Sequence, residues 1–232
     1  MAVLCAREVR PDEIFGVGIQ STIATVGAVL AKNLHAPTAR LVTRGLAGGE
    51  LVAGAREPHA LAMSGKMGLF FLTPAQVDGN LDVNFERLRK GDDWQTLSGA
   101  FAVPVYYSVV RRVVLLVPRH NPESLPAKVD YITASGSPAP RERRLGGPYR
   151  IITDKAVLGV DRERGGVTLL SYHPGESVES VRAATGFELH VADDVGETLL
   201  PTAEEKEVLA SRVFPGFAPG SIPWLGERKS LS

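Results

Sequence analysis

Glu50 and Glu57 sit in and just beyond a stretch loosened by Gly45, Gly48 and Gly49. A carboxylate held there in a low-dielectric crevice can serve as a nucleophile or a base; a solvated loop glutamate is the plainer alternative. Gln76, Asp78, Asn80, Asp82 and Asn84 form a polar cluster immediately after an apolar run that ends near Thr73. In an open parallel sheet, the loops leaving the carboxyl ends of strands line the ligand crevice, so this cluster is a candidate ligand contact, with an Asx-rich turn as the other reading. Ser98-Gly99-Ala100 is small enough to admit a ligand close to the backbone, and Gly16-Val17-Gly18 can turn backbone N–H groups toward an anion. The third glycine of a dinucleotide fingerprint is missing from that turn.

Other chemistries are excluded by what the chain lacks. Cys5 is the single cysteine, so no intrachain disulfide and no cysteine-based zinc site can form. The histidines, at 35, 59, 120, 173 and 190, include no i,i+4 pair, and no metal site is expected. Ser21-Thr22 has no nucleophile-elbow context and no assignable histidine partner. Twenty-six basic residues balance twenty-six acidic ones, which gives no long-range field for nucleic acid or an anionic membrane surface. With no membrane-spanning apolar run and no signal-peptide pattern, a cytoplasmic protein is expected.

The elements that must position these residues alternate between strand and helix. Glu13–Val17 reads as a strand leading, through Gly18, to Ser21-Thr22 as the cap of a helix over about 23–34, with Ile23, Val26, Val29 and Leu30 on one face. Ala39–Thr43, Gly68–Thr73, Arg112–Val117 and Val129–Thr133 read as further buried strands of a parallel sheet. Residues 134–148 are expected to form a surface loop. Tyr149–Val160 and Val167–Tyr172 read as two strands of a hairpin turning through 161–166, where Gly165 and Gly166 allow positive φ. His173-Pro174-Gly175 closes a strand with a turn. Ser177 caps a short helix ending near Gly186, and Thr202 with Glu205 has capping-box spacing for a helix that stops before Pro215. The expectation is one α/β domain over residues 1–232, an open and mostly parallel sheet flanked by helices, with a C-terminal hairpin and helices.

An ordered set of motifs resembles the β subunits of family I coenzyme A transferases, the glutaconate type. It comprises residues 26–32, Ala36-Pro37, Val42-Thr43-Arg44-Gly45-Leu46, Ala75-Gln76-Val77-Asp78 with Asp82-Val83-Asn84, residues 128–133, Ile152-Thr153-Asp154-Lys155, Tyr172-His173-Pro174-Gly175, residues 184–187 and Leu200-Pro201-Thr202. The likeness runs over about nine-tenths of the chain. It implies a ribose-5-phosphate-isomerase-like α/β fold, an α-type partner subunit in a heterodimeric unit, an active site at the αβ interface, and a CoA thioester as substrate with no tightly bound cofactor. In that family a β-subunit glutamate within a Val-Glu-Ser-Gly-Leu segment attacks the thioester; here Thr43 holds that place, and Glu50 is the candidate substitute. Gln76, Asp78, Asn84, Ser98, Gly99 and Ala100 correspond to substrate- and CoA-binding loops, although Ser98-Gly99-Ala100-Phe101 departs from the family's Gly-Ser-Gly-Gly. The Tyr172–Gly175 and Leu200–Thr202 regions also resemble the β subunits of steroid ring-cleaving CoA-thioester hydrolases, whose catalytic glutamate lies on the α subunit. The implied alternatives are therefore a transferase, a hydrolase with its acid on the partner, or a non-catalytic paralogue.

Overall fold

The computed structural model describes residues 1–18, 21–43, 50–51, 56–137, 144–161 and 165–217, with only the backbone of residues 43, 50 and 51. The strands are β1 (Ile14–Val17), β2 (Arg40–Thr43), β3 (Glu50–Leu51), β4 (Met67–Leu72), β5 (Gln76–Val77), β6 (Val83–Asn84), β7 (Arg87–Lys90), β8 (Asp93–Thr96), β9 (Arg112–Val117), β10 (Pro148–Thr153), β11 (Ala156–Val160), β12 (Val167–Tyr172) and β13 (His190–Glu197). The helices are α1 (Ala2–Glu8), α2 (Thr22–Leu34), α3 (Arg56–Met63), α4 (Val103–Val109), α5 (Val178–Ala183) and α6 (Ala203–Val208). A nine-stranded sheet runs β13-β12-β11-β10-β9-β4-β1-β2-β3. All neighbours are parallel except β10–β11 and β11–β12. The chain thus has the mostly parallel, helix-flanked α/β architecture that the sequence pattern implied.

The central strands β4 and β9 are apolar along nearly their whole length, Arg112 at the start of β9 excepted, because both of their faces are covered. Period-two alternation sends Leu69, Phe71, Val114 and Leu116 into a core with α1 and α2, and Phe70, Leu72, Val113 and Leu115 into a second core with Tyr106, Tyr107 and Val181. Helices α1 and α2 pack closely: a Cβ on Gly27 would stand 2.5 Å from the Ala2 carbonyl oxygen and 2.6 Å from Cys5 Cβ. Cys5 is fully buried there, and desolvation pushes its thiol up to about 12, which removes it as a nucleophile.

Two expected strands turn out differently. Val129–Thr133 is not a strand: the Val129 N–H is taken by Asp78 Oδ2 (3.1 Å), the Asp130 N–H by Gln76 Oε1 (2.9 Å) and the Thr133 N–H by the Val83 carbonyl (2.8 Å). Side chains occupy two of the three groups a ladder would use. Tyr149–Val160 is itself a hairpin, β10–β11, broken at Asp154-Lys155. The Thr153 hydroxyl makes that turn by accepting the N–H groups of Lys155 (3.0 Å) and Ala156 (2.8 Å).

The hairpin between β11 and β12 carries Gly165 and Gly166 at φ 77 and 97, as the turn requires. The expected cap at Ser177 forms, as a capping box with Ser180, and the expected capping box forms at Thr202 with Glu205. The C-terminal α-helix ends at Val208 and continues as a π-turn over Leu209–Val213 and a 3-10 turn over Phe214–Gly216, so helical winding carries past Pro215. No helix among the described residues is long and apolar enough to cross a membrane.

Candidate functional site

Strands β1, β2 and β4 end side by side, and their carboxyl ends open into a cavity of ≈ 500 Å³. Val17, Gly18, Val42, Leu72, Thr73 and Pro74 form its floor; Phe70, Phe101 and Tyr106, with Val103 beside them, form a largely aromatic wall; Phe85, Leu97, Ser98 and Gly99 border the remaining side. Gly18 allows the close approach at the floor, because its N–H donates to the Phe71 carbonyl (2.9 Å) and a Cβ would come within 3.3 Å of that oxygen. Ser21 occupies the N-cap position of α2, but its hydroxyl pairs with Thr73 Oγ1 (2.8 Å) and makes no capping bond. It joins the first βα turn to the loop after β4, where the cavity needs a fixed edge.

The aromatic wall is stacked. Phe70 and Tyr106 lie 4.2 Å apart between ring centroids at 15°, and His59 of α3 meets Tyr106 at 5.3 Å and Phe101 at 5.5 Å. Tyr106 is the one ionisable residue among the described lining, and burial pushes its phenol up to about 12, so it is neutral near pH 7. Such a lining suits an apolar group with few polar contacts.

The residues that the sequence marked fall into separate places around this cavity. The backbone of Thr43 is the last residue of β2, one step past Val42, and Glu50 pairs in register with Val42 at the start of β3. The Arg44–Gly49 segment, with the glycines at 45, 48 and 49, lies outside the described residues. Glu57 is on α3 and pairs with Arg40 (3.0 Å). Ser98 and Gly99 line the cavity, and Ala100 follows them in the turn that starts α4, its carbonyl accepting the Val103 N–H (3.2 Å).

Gln76, Asp78 and Asn84 are brought together, but behind the wall. All three are buried. Asn84 Nδ2 donates to Gln76 Oε1 (2.8 Å) and to the Arg87 carbonyl (2.7 Å), while its Oδ1 accepts the N–H groups of Glu86 and Arg87. Gln76 Nε2 donates to Asp130 Oδ2 (3.1 Å), which also accepts the Arg89 N–H (2.9 Å). Asp78 accepts the N–H groups of Asn80 (3.0 Å), Asp82 (3.2 Å) and Val129. Burial raises its carboxyl above the ordinary range, helped by the nearby Asp82 charge, although those donors oppose the shift. Removing this carboxylate strands the three N–H groups. Asp78→Ala is therefore expected to lower the unfolding free energy by roughly 2–4 kcal/mol, read from urea titration, with Asp78→Asn losing less.

A second polar cluster was not legible in the sequence. His120, only 3% exposed, joins Thr153 Oγ1 through Nδ1 and Thr185 Oγ1 through Nε2, each at 2.8 Å, and its backbone N–H donates to Asp154 Oδ1 (2.7 Å). Burial lowers its pKa to about 4. His173, at the turn after β12, joins Thr198 Oγ1 and the Thr153 carbonyl, and Lys155 pairs with Glu176 (2.5 Å). These contacts cross-link the hairpin turn, α5 and the end of β13; no pattern at the level of spacing announces them.

Comparison with known proteins bears on this geometry. The β subunit of glutaconate CoA-transferase from Acidaminococcus fermentans is 25% identical, over 96% of this chain and 94% of its own length. The crystal structure of that enzyme superposes with a TM-score of 0.77 at 20% identity, covering 93% of both chains. The chain is a homologue of family I CoA-transferase β subunits. No protein-family profile matches it. Two further relatives show how widely this scaffold is used. The decarboxylase AibA/AibB superposes with a TM-score of 0.79 at 22% identity, covering 93% of this chain and 94% of that one, a likeness of fold. The cholesterol ring-cleaving hydrolase IpdB subunit of Mycobacterium tuberculosis is 31% identical over 67 residues, 29% of this chain and 27% of that protein. The cavity of this chain lies at the strand ends, where an open α/β sheet places its ligand.

Proposed function

We propose that the chain is the β subunit of a heteromeric CoA-thioester enzyme, which binds the acyl end of its substrate in the apolar cavity and takes its reacting acid, where the reaction needs one, from an α-type partner. The observation that carries this is the cavity at the ends of β1, β2 and β4, with β2 ending on Thr43 where the family resemblance expects glutamate. Threonine is a poor nucleophile for this chemistry, because its hydroxyl is barely ionised near pH 7 and its ester is not a mixed anhydride. Glu50 starts the neighbouring strand, and it is the alternative acid if the transferase route persists. Ser98, Gly99 and Ala100 border the entry for the pantetheine arm. Gln76, Asp78 and Asn84 serve binding from behind, by fixing the loops that carry the wall.

A specific feature favours a second reading on the same scaffold. Among the described residues the lining holds no carboxylate and no cation, and a carboxylate on the substrate placed there would be desolvated. Loss of CO₂ relieves that cost: the C–C bonding pair disperses into the thioester-conjugated carbanion, which then takes a proton from water or a partner acid, so decarboxylation of a carboxyacyl-CoA needs no enzyme nucleophile. AibA/AibB, with the similar fold, is a decarboxylase. Ring-opening hydrolysis and a non-catalytic thioester-binding role complete the set.

Co-expression with an α-type subunit tests the proposal. A stable complex that binds acyl-CoA is expected, and product analysis then separates the reactions: acyl exchange onto an acceptor acid, a free acid from water, or released CO₂. A chain that neither assembles nor binds any acyl-CoA sinks it. Binding without turnover identifies the non-catalytic case.

A further inference from the structure

Strands β7 and β8 form a two-stranded ribbon that leaves the cavity wall and returns to it. Phe85, two residues before β7, lines the cavity, as do Leu97, Ser98 and Gly99 directly after β8. The antiparallel register opposes Arg87 to Thr96 and Arg89 to Trp94, which puts all four on one face. There the Arg89 guanidinium lies 4.4 Å from the Trp94 ring centroid, and that of Arg87 lies 4.4 Å from Tyr131 and 5.7 Å from Trp94. Every residue of β8 is exposed, and Trp94 is 41% exposed, so core packing does not account for an indole here. Among the described residues no carboxylate pairs with the Arg89 guanidinium, and Arg87 has only Glu86 at 3.9 Å on the surface.

The base of the ribbon is rigid. Asn84 holds the N–H and carbonyl of Arg87, and Asp130, itself fixed by Gln76, holds the N–H of Arg89. The buried amide cluster thus sets where these two cations stand relative to the cavity. Guanidinium groups bind phosphates through fixed forks of donors, and an exposed indole stacks on a planar base at little conformational cost. The chain as a whole carries no net charge, which argues against a long polyanion and for a compact one.

We propose that the β7–β8 ribbon docks the nucleotide end of the CoA thioester, with the purine stacked at Trp94 and the phosphates on Arg87 and Arg89, while the acyl end occupies the cavity from which the ribbon springs. This rests on the cavity being the acyl site, and it adds a second, separately testable contact. Docking the nucleotide outside the cavity lets the apolar pocket stay free of charge.

The test uses the full chain, alone and with its α-type partner, in a Trp224→Phe background so that Trp94 is the only indole of the chain. Adenosine 3′,5′-bisphosphate is expected to quench Trp94 fluorescence. CoA is expected to bind at least about tenfold more weakly to Arg89→Ala, more weakly still to Arg87→Ala/Arg89→Ala, and with a shallower salt dependence. Arg89→Lys retains part of the affinity, and 3′-dephospho-CoA binds less tightly than CoA. A Ser98→Phe variant, which narrows the cavity mouth, is expected to weaken acyl-CoA but not the bisphosphate. Unchanged CoA affinity in the arginine variants, with Ser98→Phe still weakening acyl-CoA, overturns the ribbon and leaves the cavity reading standing. Bisphosphate binding lost on Arg89→Ala, with acyl-CoA indifferent to Ser98→Phe, supports the ribbon and removes the cavity reading. No quenching and no CoA binding in either form of the protein overturns both.

Discussion

Thr43→Glu is expected to give the assembled complex a covalently trappable carboxylate that the native chain lacks. Strand β2 ends at residue 43, flanked by β1 and β3, and the Val42 side chain one step before it lines the cavity. A glutamate there restores the residue that the family resemblance assigns to thioester attack. The carboxylate suits that reaction because it can attack the thioester and then leave from the mixed anhydride. Incubating the complex with an acyl-CoA and then borohydride or hydroxylamine should modify close to all of the variant at residue 43 and none of the native protein, as read by peptide mass.

Glu50→Gln should leave the variant's adduct unchanged. A native protein that is itself trapped at Glu50, with the adduct lost in Glu50→Gln, would show instead that the nucleophile has moved to β3. That outcome demands close placement, since a misplacement of about 1 Å can cost roughly a hundredfold in rate.

The second large effect is on stability. His120 is buried between Thr153 and Thr185, and burial holds its pKa near 4, while an unfolded histidine titrates near 6.5. Between those values the unfolded chain binds a proton that the folded chain refuses. The contribution of neutral His120 is thus fully present above about pH 6.5 and declines as the pH falls toward 4. It amounts to roughly 3 kcal/mol across that window and about 2 kcal/mol by pH 5. His173 is lowered by burial as well and acts in the same direction. Urea midpoints at pH 7, 6, 5 and 4.5 should show a steep acid loss in the native protein. His120→Gln keeps an amide able to bond both hydroxyls, and it should start lower at pH 7 but fall less on acidification. Parallel curves for the two proteins would contradict the assignment.

The sequence carried the sheet's central strands and the capped helices because each is written in local terms. Phe70 and Phe71, or Val113 and Val114, are apolar neighbours pointing to opposite cores, and that run needs two covered faces wherever it lies. Ser177 with Ser180 and Thr202 with Glu205 are caps made within four residues. Strand β13 was missed because it is a largely exposed edge with Asp193 and Asp194 in its middle, so burial never shaped its pattern. Val129–Thr133 was misread because Asp78 and Gln76, distant in sequence, take the N–H groups of Val129 and Asp130 that a strand would offer to a ladder.

By itself, then, the sequence determined the α/β class and the strands that end at the cavity, both properties of short windows. Only the tertiary structure decided what the polar residues do. Gln76 meets Asp130 across fifty-four residues of chain and, with Asn84, turns inward to hold a ribbon, and His120 finds Thr185 across sixty-five. A buried polar group must find a partner wherever the fold brings one, and spacing along a chain does not encode which distant group will arrive.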